Sequence, residues 1–362
     1  MASNFDLSNL ALKSAFPSNS ILTDDVGLPS VMVYVPKFKM SDVIDGASDS
    51  THPAFIVDGV EKSGIYISKY QNVVYNSRAY SLPGEDPRAS VIADNARTYC
   101  ENKGEGWHMM SAMEWGAIAL WCMKNGFLPY GNNNYGKDSR KSNYKAIPSY
   151  LSSSDESSGY YADRVATGTG PVTWSHNGAL DGIYDLNGNV WEWSDGMRLV
   201  YGELQILENN NAADSSNSKL ASSAAWMAID GTTGELIEPD GSGTTTNSLK
   251  LDYVSSKWCW ITGTISSSSD TSRSCIFVKV YADDDVCDEA KELLYALALL
   301  PSDTTQDYEG DYFYINNGNA ERFPKRGGYW YNGTHAGVFN SNFYNARSNS
   351  NTDFGFRSAF YE

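Results

Sequence analysis

The sequence predicts an α+β domain, rich in loops and interrupted by an insertion. Three observations carry that prediction. Short runs at 31–35 and 64–70 alternate apolar and polar residues with the period of a strand. Two later segments carry apolar residues at helical spacing behind recognisable caps. The stretches between them are dense in Asn, Ser, Gly and Tyr, with 31 Gly and 24 Tyr in 362 residues.

Residues 1–30 read as an N-terminal arm that ends in the turn signal Gly27-Leu28-Pro29. The main domain is placed at 31–362. Its first strand is stopped by Pro36, and the second sets Ile65 and Ile67 against polar neighbours. A helix is expected from about 86 to 104, with Ile92, Ala96, Tyr99 and Cys100 on one face and Gly104 as its stop. The next helix opens with a capping box, Ser111 with Glu114, and Met110 can staple against Trp115. Trp115, Ile118, Ala119 and Cys122 then share a stripe that ends at Asn125-Gly126. Cys100 and Cys122 are read as small core residues.

Residues 129–170 form a long loop containing the serine-rich run 152–158. From about 201 to 320 the texture changes to short hairpin-like runs punctuated by Ser and Asn, with one helix expected at 286–300 before Pro301. This block reads as an insertion that flanks a binding face without forming the core. Aromatic, Gly-rich sequence resumes at Arg322.

Composition narrows the function. A hydrophobic fraction of 41% with 13% aromatics excludes a disordered chain. A net charge of −17 opposes partners that present phosphate, so neither nucleic acid nor anionic lipid is expected. No apolar run approaches the roughly 20 residues that span a bilayer. Five cysteines at irregular spacing form neither a disulfide framework nor a CxxC metal pair. Residues 1–25 lack the pattern of a signal peptide, so synthesis in the cytoplasm is expected, with any extracellular use following release on a particle. Motifs for zinc hydrolysis, phosphate cradling and elbow-serine chemistry do not occur.

One set of motifs carries a resemblance. Asp185-Leu-Asn-Gly-Asn-Val-Trp-Glu-Trp193, then Arg326-Gly-Gly-Tyr-Trp330, Ala346-Arg347 and Gly355-Phe-Arg357, together with Tyr99-Cys100 and Met113-Glu114-Trp115, resemble the formylglycine-generating-enzyme type of C-type lectin-like fold. Gly188 suits a tight turn there, and Gly327-Gly328 suit close backbone approach. The resemblance implies a structural calcium held by Asp185, the carbonyls of Gly188 and Val190, and Glu192; oxygen ligands of this kind suit a hard cation. It also implies a reactive cysteine pair after the Arg-Gly-Gly motif, but Cys287 is the last cysteine in the chain. An oxidase therefore lacks its thiolates. A conventional calcium-dependent lectin lacks its Glu-Pro-Asn and Trp-Asn-Asp signatures.

Residues 326–357 also resemble the variable region of diversity-generating retroelement proteins, in which codons rich in adenine are copied with errors. The resemblance splits the segment into two sets. Trp330, Gly333, Ala336, Gly337, Phe339, Ala346, Arg347, Gly355, Phe356 and Arg357 would be framework. Tyr329, Tyr331, Asn332, His335, Asn340, Ser341, Asn342, Tyr344, Asn345 and Asp353 would bind ligand, with Thr334 and Phe354 as additions. The residues themselves agree with a binding role: after Arg326 there is no lysine, and Tyr, Asn and Ser combine contact area with adaptable hydrogen bonds. The implied function is non-enzymatic recognition of a host cell-surface protein or glycan, as at a phage or prophage tail, with Tyr329, Tyr331, His335, Asn342 and Tyr344 exposed on one face.

Overall fold

Alternating apolar residues build the first sheet. In the computed structural model, which describes residues 4–151 and 162–362, strand Gly64–Ser68 turns Ile65 and Ile67 fully inward. It lies between Pro29–Pro36 and the C-terminal strand Ser358–Phe360, so both ends of the chain meet in one sheet. The order is Asn19–Thr23, Pro29–Pro36, Gly64–Ser68, Ser358–Phe360 and Trp107–Met109, every pair antiparallel. The serine-rich run 152–158 lies outside the described residues.

The N-terminal arm is shorter than its expected limit at residue 30. Residues 4–15 form a helix, and Asn19–Thr23 is an edge strand paired with Pro29–Pro36 from Asn19 opposite Val33 to Thr23 opposite Pro29. The strand is too polar to signal itself by alternation. Its place comes from the backbone ladder and from Asn19, whose buried amide binds the carbonyl of Asp181 and accepts from Lys69 Nζ.

The first helix of the expected pair, Ala93–Glu101, begins later than expected. Residues 86–92 stay outside the helix because their backbone is drawn to other partners, Arg88 N–H to the Asn72 carbonyl and Ser90 N–H to the Asn351 carbonyl, and Ser90 has φ 54°. The second, Ala112–Lys124, starts at the capping box. Ser111 Oγ accepts from the Glu114 N–H at 3.1 Å, and Glu114 Oε2 accepts from the Ser111 N–H at 2.9 Å. Met110, Trp115, Ile118, Ala119 and Cys122 join one buried cluster, while Cys100 lies in a second one.

A second sheet runs Arg273–Ile276, Tyr312–Ile315, Ser341–Phe343, Lys325–Arg326, Trp191–Trp193 and Phe354–Phe356. A third, seven-stranded sheet is built mostly from 197–282. These pairings correct the expectation that 201–320 stands outside the core. Two of its strands, Arg273–Ile276 at the edge and Tyr312–Ile315 beside it, complete one side of the sheet that also carries Lys325–Arg326. Leu204, Ile206, Leu251, Trp258, Trp260 and Phe277 are buried in the same cluster as Trp115 and Ile118. Its helix, Asp288–Ala296, crosses Ala112–Lys124 so closely that a Cβ on Gly116 would sit 1.9 Å from the Ala296 carbonyl oxygen. The Ser and Asn runs are turns between these strands, and averaging over them hides the apolar residues between.

Excising 201–320 behind a short linker should therefore abolish cooperative thermal unfolding, because it strips two strands from the second sheet and opens the main core. A melt followed by circular dichroism checks this; a sharp transition in the excised protein would show the block to be dispensable.

Candidate ligand-binding site

The second sheet presents one face to a concavity of about 440 Å³. Strand Tyr312–Ile315 buries Phe313 and Ile315, which leaves Tyr312 and Tyr314 on the opposite, pocket-facing side. Trp191, Lys325, Asn342 and Phe354 line it from neighbouring strands, and Tyr329, Asn332, His335, Asn340, Tyr344, Asn345, Asn351 and Asp353 from the loops. Eight of the ten sequence-predicted ligand residues thus converge on one hollow.

The wall is aromatic. Tyr312 and His335 stack with centroids 3.5 Å apart and planes 16° apart. Trp191 and Tyr329 stack at 6.1 Å, and Tyr314 meets Tyr344 edge-on at 5.9 Å. Lys325 lies at the base. Its Nζ donates to Asn345 Oδ1 at 2.6 Å and sits 3.3 Å from the Phe354 ring centroid. Burial pulls its pKa well below the ordinary lysine value, opposed by the charge of Asp353. Burial in turn raises Asp353, whose Oδ1 has no partner.

The structure divides the predicted set. Tyr331 and Tyr344 are exposed, and Tyr329, Asn332, His335 and Asn345 are partly so. Asn340, Ser341, Asn342 and Asp353 are buried, which corrects the placement of Asn342 on an exposed face. Several asparagines also shape the loops: Asn332 Oδ1 accepts from the Tyr329 N–H, Asn342 Oδ1 from the Tyr344 N–H, and Asn340 Nδ2 donates to the His335 carbonyl. Tyr331 leaves the hollow and packs on Tyr135 at 5.0 Å; Ser341 points away inside the sheet and is fully buried. Tyr312, Tyr314 and Asn351 were not found from sequence. They belong to a strand and a loop that the residues alone did not single out.

The framework residues anchor the loops from behind. Trp330, Phe339 and Phe356 are buried. Trp115 Nε1 reaches from its helix to the Val338 carbonyl at 2.7 Å. Gly327 and Gly328 have φ 86° and 87°, and a Cβ on Gly328 would meet that of Ala336 at 2.5 Å. Asp311, fully buried, accepts from the Phe339 N–H at 2.8 Å, and its carboxyl is pushed up to about 7 by burial, against that hydrogen bond and Arg140. A larger hollow, about 730 Å³, is lined by Ser and Thr of the inserted block and contains none of the predicted residues.

The carbonyls of Gly188 and Val190 and the carboxylate of Glu192 converge around a side chain, joined by the carbonyl of Asp185, whose carboxylate accepts from the Gly168 N–H instead. Gln71 Nε2 donates to the carbonyls of Asp185, Gly188 and Val190 and to Glu192 Oε1 at 3.0–3.3 Å. Glu192 is also paired with Arg357 through both oxygens, at 2.5 Å each. So arranged, Asp185, Gly188, Val190 and Glu192 do not fit a calcium ion.

No protein-family model matches the chain, and no curated protein is significantly similar. Solved structures do show similarity. PvdO from Pseudomonas aeruginosa is 12% identical, with 95% of this chain and 98% of that one covered and a TM-score of 0.34. Treponema denticola variable protein 1 is 12% identical over 96% and 100% of the two chains, with a TM-score of 0.32. The Major Tropism Determinant P3c variant is 11% identical over 95% and 71%, with a TM-score of 0.32. Likenesses at this level carry no weight for function, which rests on the geometry of the site.

Two outcomes follow from that geometry. Trp330→Ala or Phe339→Ala should lose about 3–5 kcal/mol, whereas Tyr331→Ala and Tyr344→Ala should stay within about 0.5 kcal/mol; denaturant melts of the four variants measure both. Asp311 sets a pH trend: between about pH 4 and 7 the unfolded chain has released this proton while the folded chain keeps it, so its contribution to stability falls as pH rises. Asp311→Asn retains an acceptor for Phe339 and should raise the melting temperature over wild type more at about pH 8 than at about pH 4.5.

Proposed function

We propose that this chain is a non-enzymatic binding protein whose C-terminal segment forms a ligand pocket diversified by a retroelement. The observation that carries the reading is the separation of roles within 326–357. Exposed or half-exposed Tyr329, Asn332, His335, Tyr344 and Asn345 face one concavity, while Trp330, Phe339, Phe356 and Arg357 hold the backbone from the buried side. Tyr329 meets Trp330 edge-on at 5.3 Å, whereas His335 and Tyr344 pack on Tyr312 and Tyr314. Exchange at those two leaves the buried set in place, as a surface sampled at random requires. Asn340, Asn342 and Asp353 belong to the floor, Ser341 lies inside the sheet away from the hollow, and substitutions there act through the shape of the loops.

An oxidase reading finds no support in the pocket lining, which includes no cysteine. Burial raises the thiols of Cys100, Cys122, Cys259 and Cys275 above the ordinary value, the opposite of activation. Aromatic walls with neutral amides fit a protein or glycan on a host cell surface, and placement at a phage or prophage tail tip accounts for an acidic chain that must avoid nucleic acid and anionic lipid.

The deciding experiment is to sequence the surrounding locus. A near-copy of the codons for 326–357, differing at adenines and lying beside a reverse transcriptase gene, is expected. Its absence, together with relatives invariant at Tyr329, Tyr331, His335 and Tyr344, would overturn the diversification. Labelled protein should bind host cells, and Tyr329→Ala with Tyr344→Ala should reduce binding at least about tenfold, as for central aromatic anchors.

A further inference from the structure

We infer that the side-chain amide of Gln71 occupies the place of a cation in the 185–192 turn, making this fold independent of calcium. The turn directs three carbonyl oxygens and Glu192 Oε1 at one point, and that point is Gln71 Nε2. An amide has two hydrogens, so four acceptors are two more than it can satisfy singly. The surplus is what a turn built for an ion would show. The spacing suits the amide: 3.0–3.3 Å matches shared N–H···O bonds, while calcium–oxygen distances run about 2.3–2.6 Å.

The orientation of the amide is set by its partners. Oε1 accepts from Asn189 Nδ2 at 2.9 Å, and the reversed amide would point an oxygen at four oxygens. Charge agrees with the geometry. Arg357 neutralises Glu192 with two short bonds and adds donors to the carbonyls of Tyr184 and Asp185. A divalent ion entering here would meet a guanidinium already in place. Gln71 comes from the segment after Gly64–Ser68, far from the turn in sequence, so it ties the first sheet to the turn as an ion bound within the turn alone would not.

The test is metal content and thermal melting of the full chain. Wild type should purify without bound calcium, and its melting temperature should be the same in EDTA and in millimolar calcium. About one calcium per chain, or a melting temperature that falls in EDTA, would overturn the inference. Gln71→Ala removes the amide and leaves the oxygens. Its melting temperature in EDTA should drop by about 5 °C or more and recover at least half of the loss on adding calcium. A variant that is destabilised equally with and without calcium would show that the position is not a cation's. Should Gln71→Ala not fold, the wild-type measurements decide.

Discussion

The bidentate pair between Arg357 and Glu192 is the constraint on which the two principal sheets depend. Arg357 stands between strands Phe354–Phe356 and Ser358–Phe360, where the chain leaves the second sheet and enters the first. Glu192 is the middle residue of Trp191–Trp193, which pairs in parallel with Phe354–Phe356. Both side chains are buried, so each charge is tolerable only because the other is present with its remaining donors and acceptors filled. Arg357 uses its other nitrogens on the carbonyls of Ser68 and Tyr184, and Glu192 takes one bond from Gln71. The same few atoms therefore join the first sheet, the second sheet and the 185–192 turn.

That junction explains how the C-terminal segment can carry loops of loose composition. The segment is held at Lys325–Arg326, at Ser341–Phe343 and at Phe354–Phe356, three strands of one sheet. Between the holds run the connections 327–340 and 344–353, whose turns are closed by Asn332, Asn340 and Asn342 bonding to nearby backbone. Aromatic side chains then project into the hollow from a backbone they do not themselves fix. Tyr312 and Tyr314 extend the wall from a strand far earlier in the chain, so the inserted block supplies part of the pocket as well as part of the core.

Local signals were legible wherever one element contained its own cause. The capping box at Ser111 and Glu114 and the alternation at Ile65 and Ile67 both stand where the residues indicate. The long-range reading failed where polarity or texture misled. Asn19–Thr23 looked like an arm because its ladder bonds are invisible in sequence, and the 201–320 block looked peripheral because its turns outnumber its apolar runs. Asn342 carried the residue type of a contact and is buried as a loop closer.

By itself the sequence determined the elements that carry their own cap or alternation and the neutral aromatic chemistry of the C-terminal polar residues, while the buried aromatic set there followed from the family resemblance. Such elements depend on neighbours within a few positions, and period and capping chemistry encode them. Only the tertiary structure decided which asparagines face the hollow and which are spent on the backbone, because that depends on how deeply each strand sits in the sheet. It alone brought Gln71 to the centre of the 185–192 turn. A glutamine more than a hundred residues away leaves no trace in the turn's own sequence, yet hydrogen-bond satisfaction in a buried site requires some donor there.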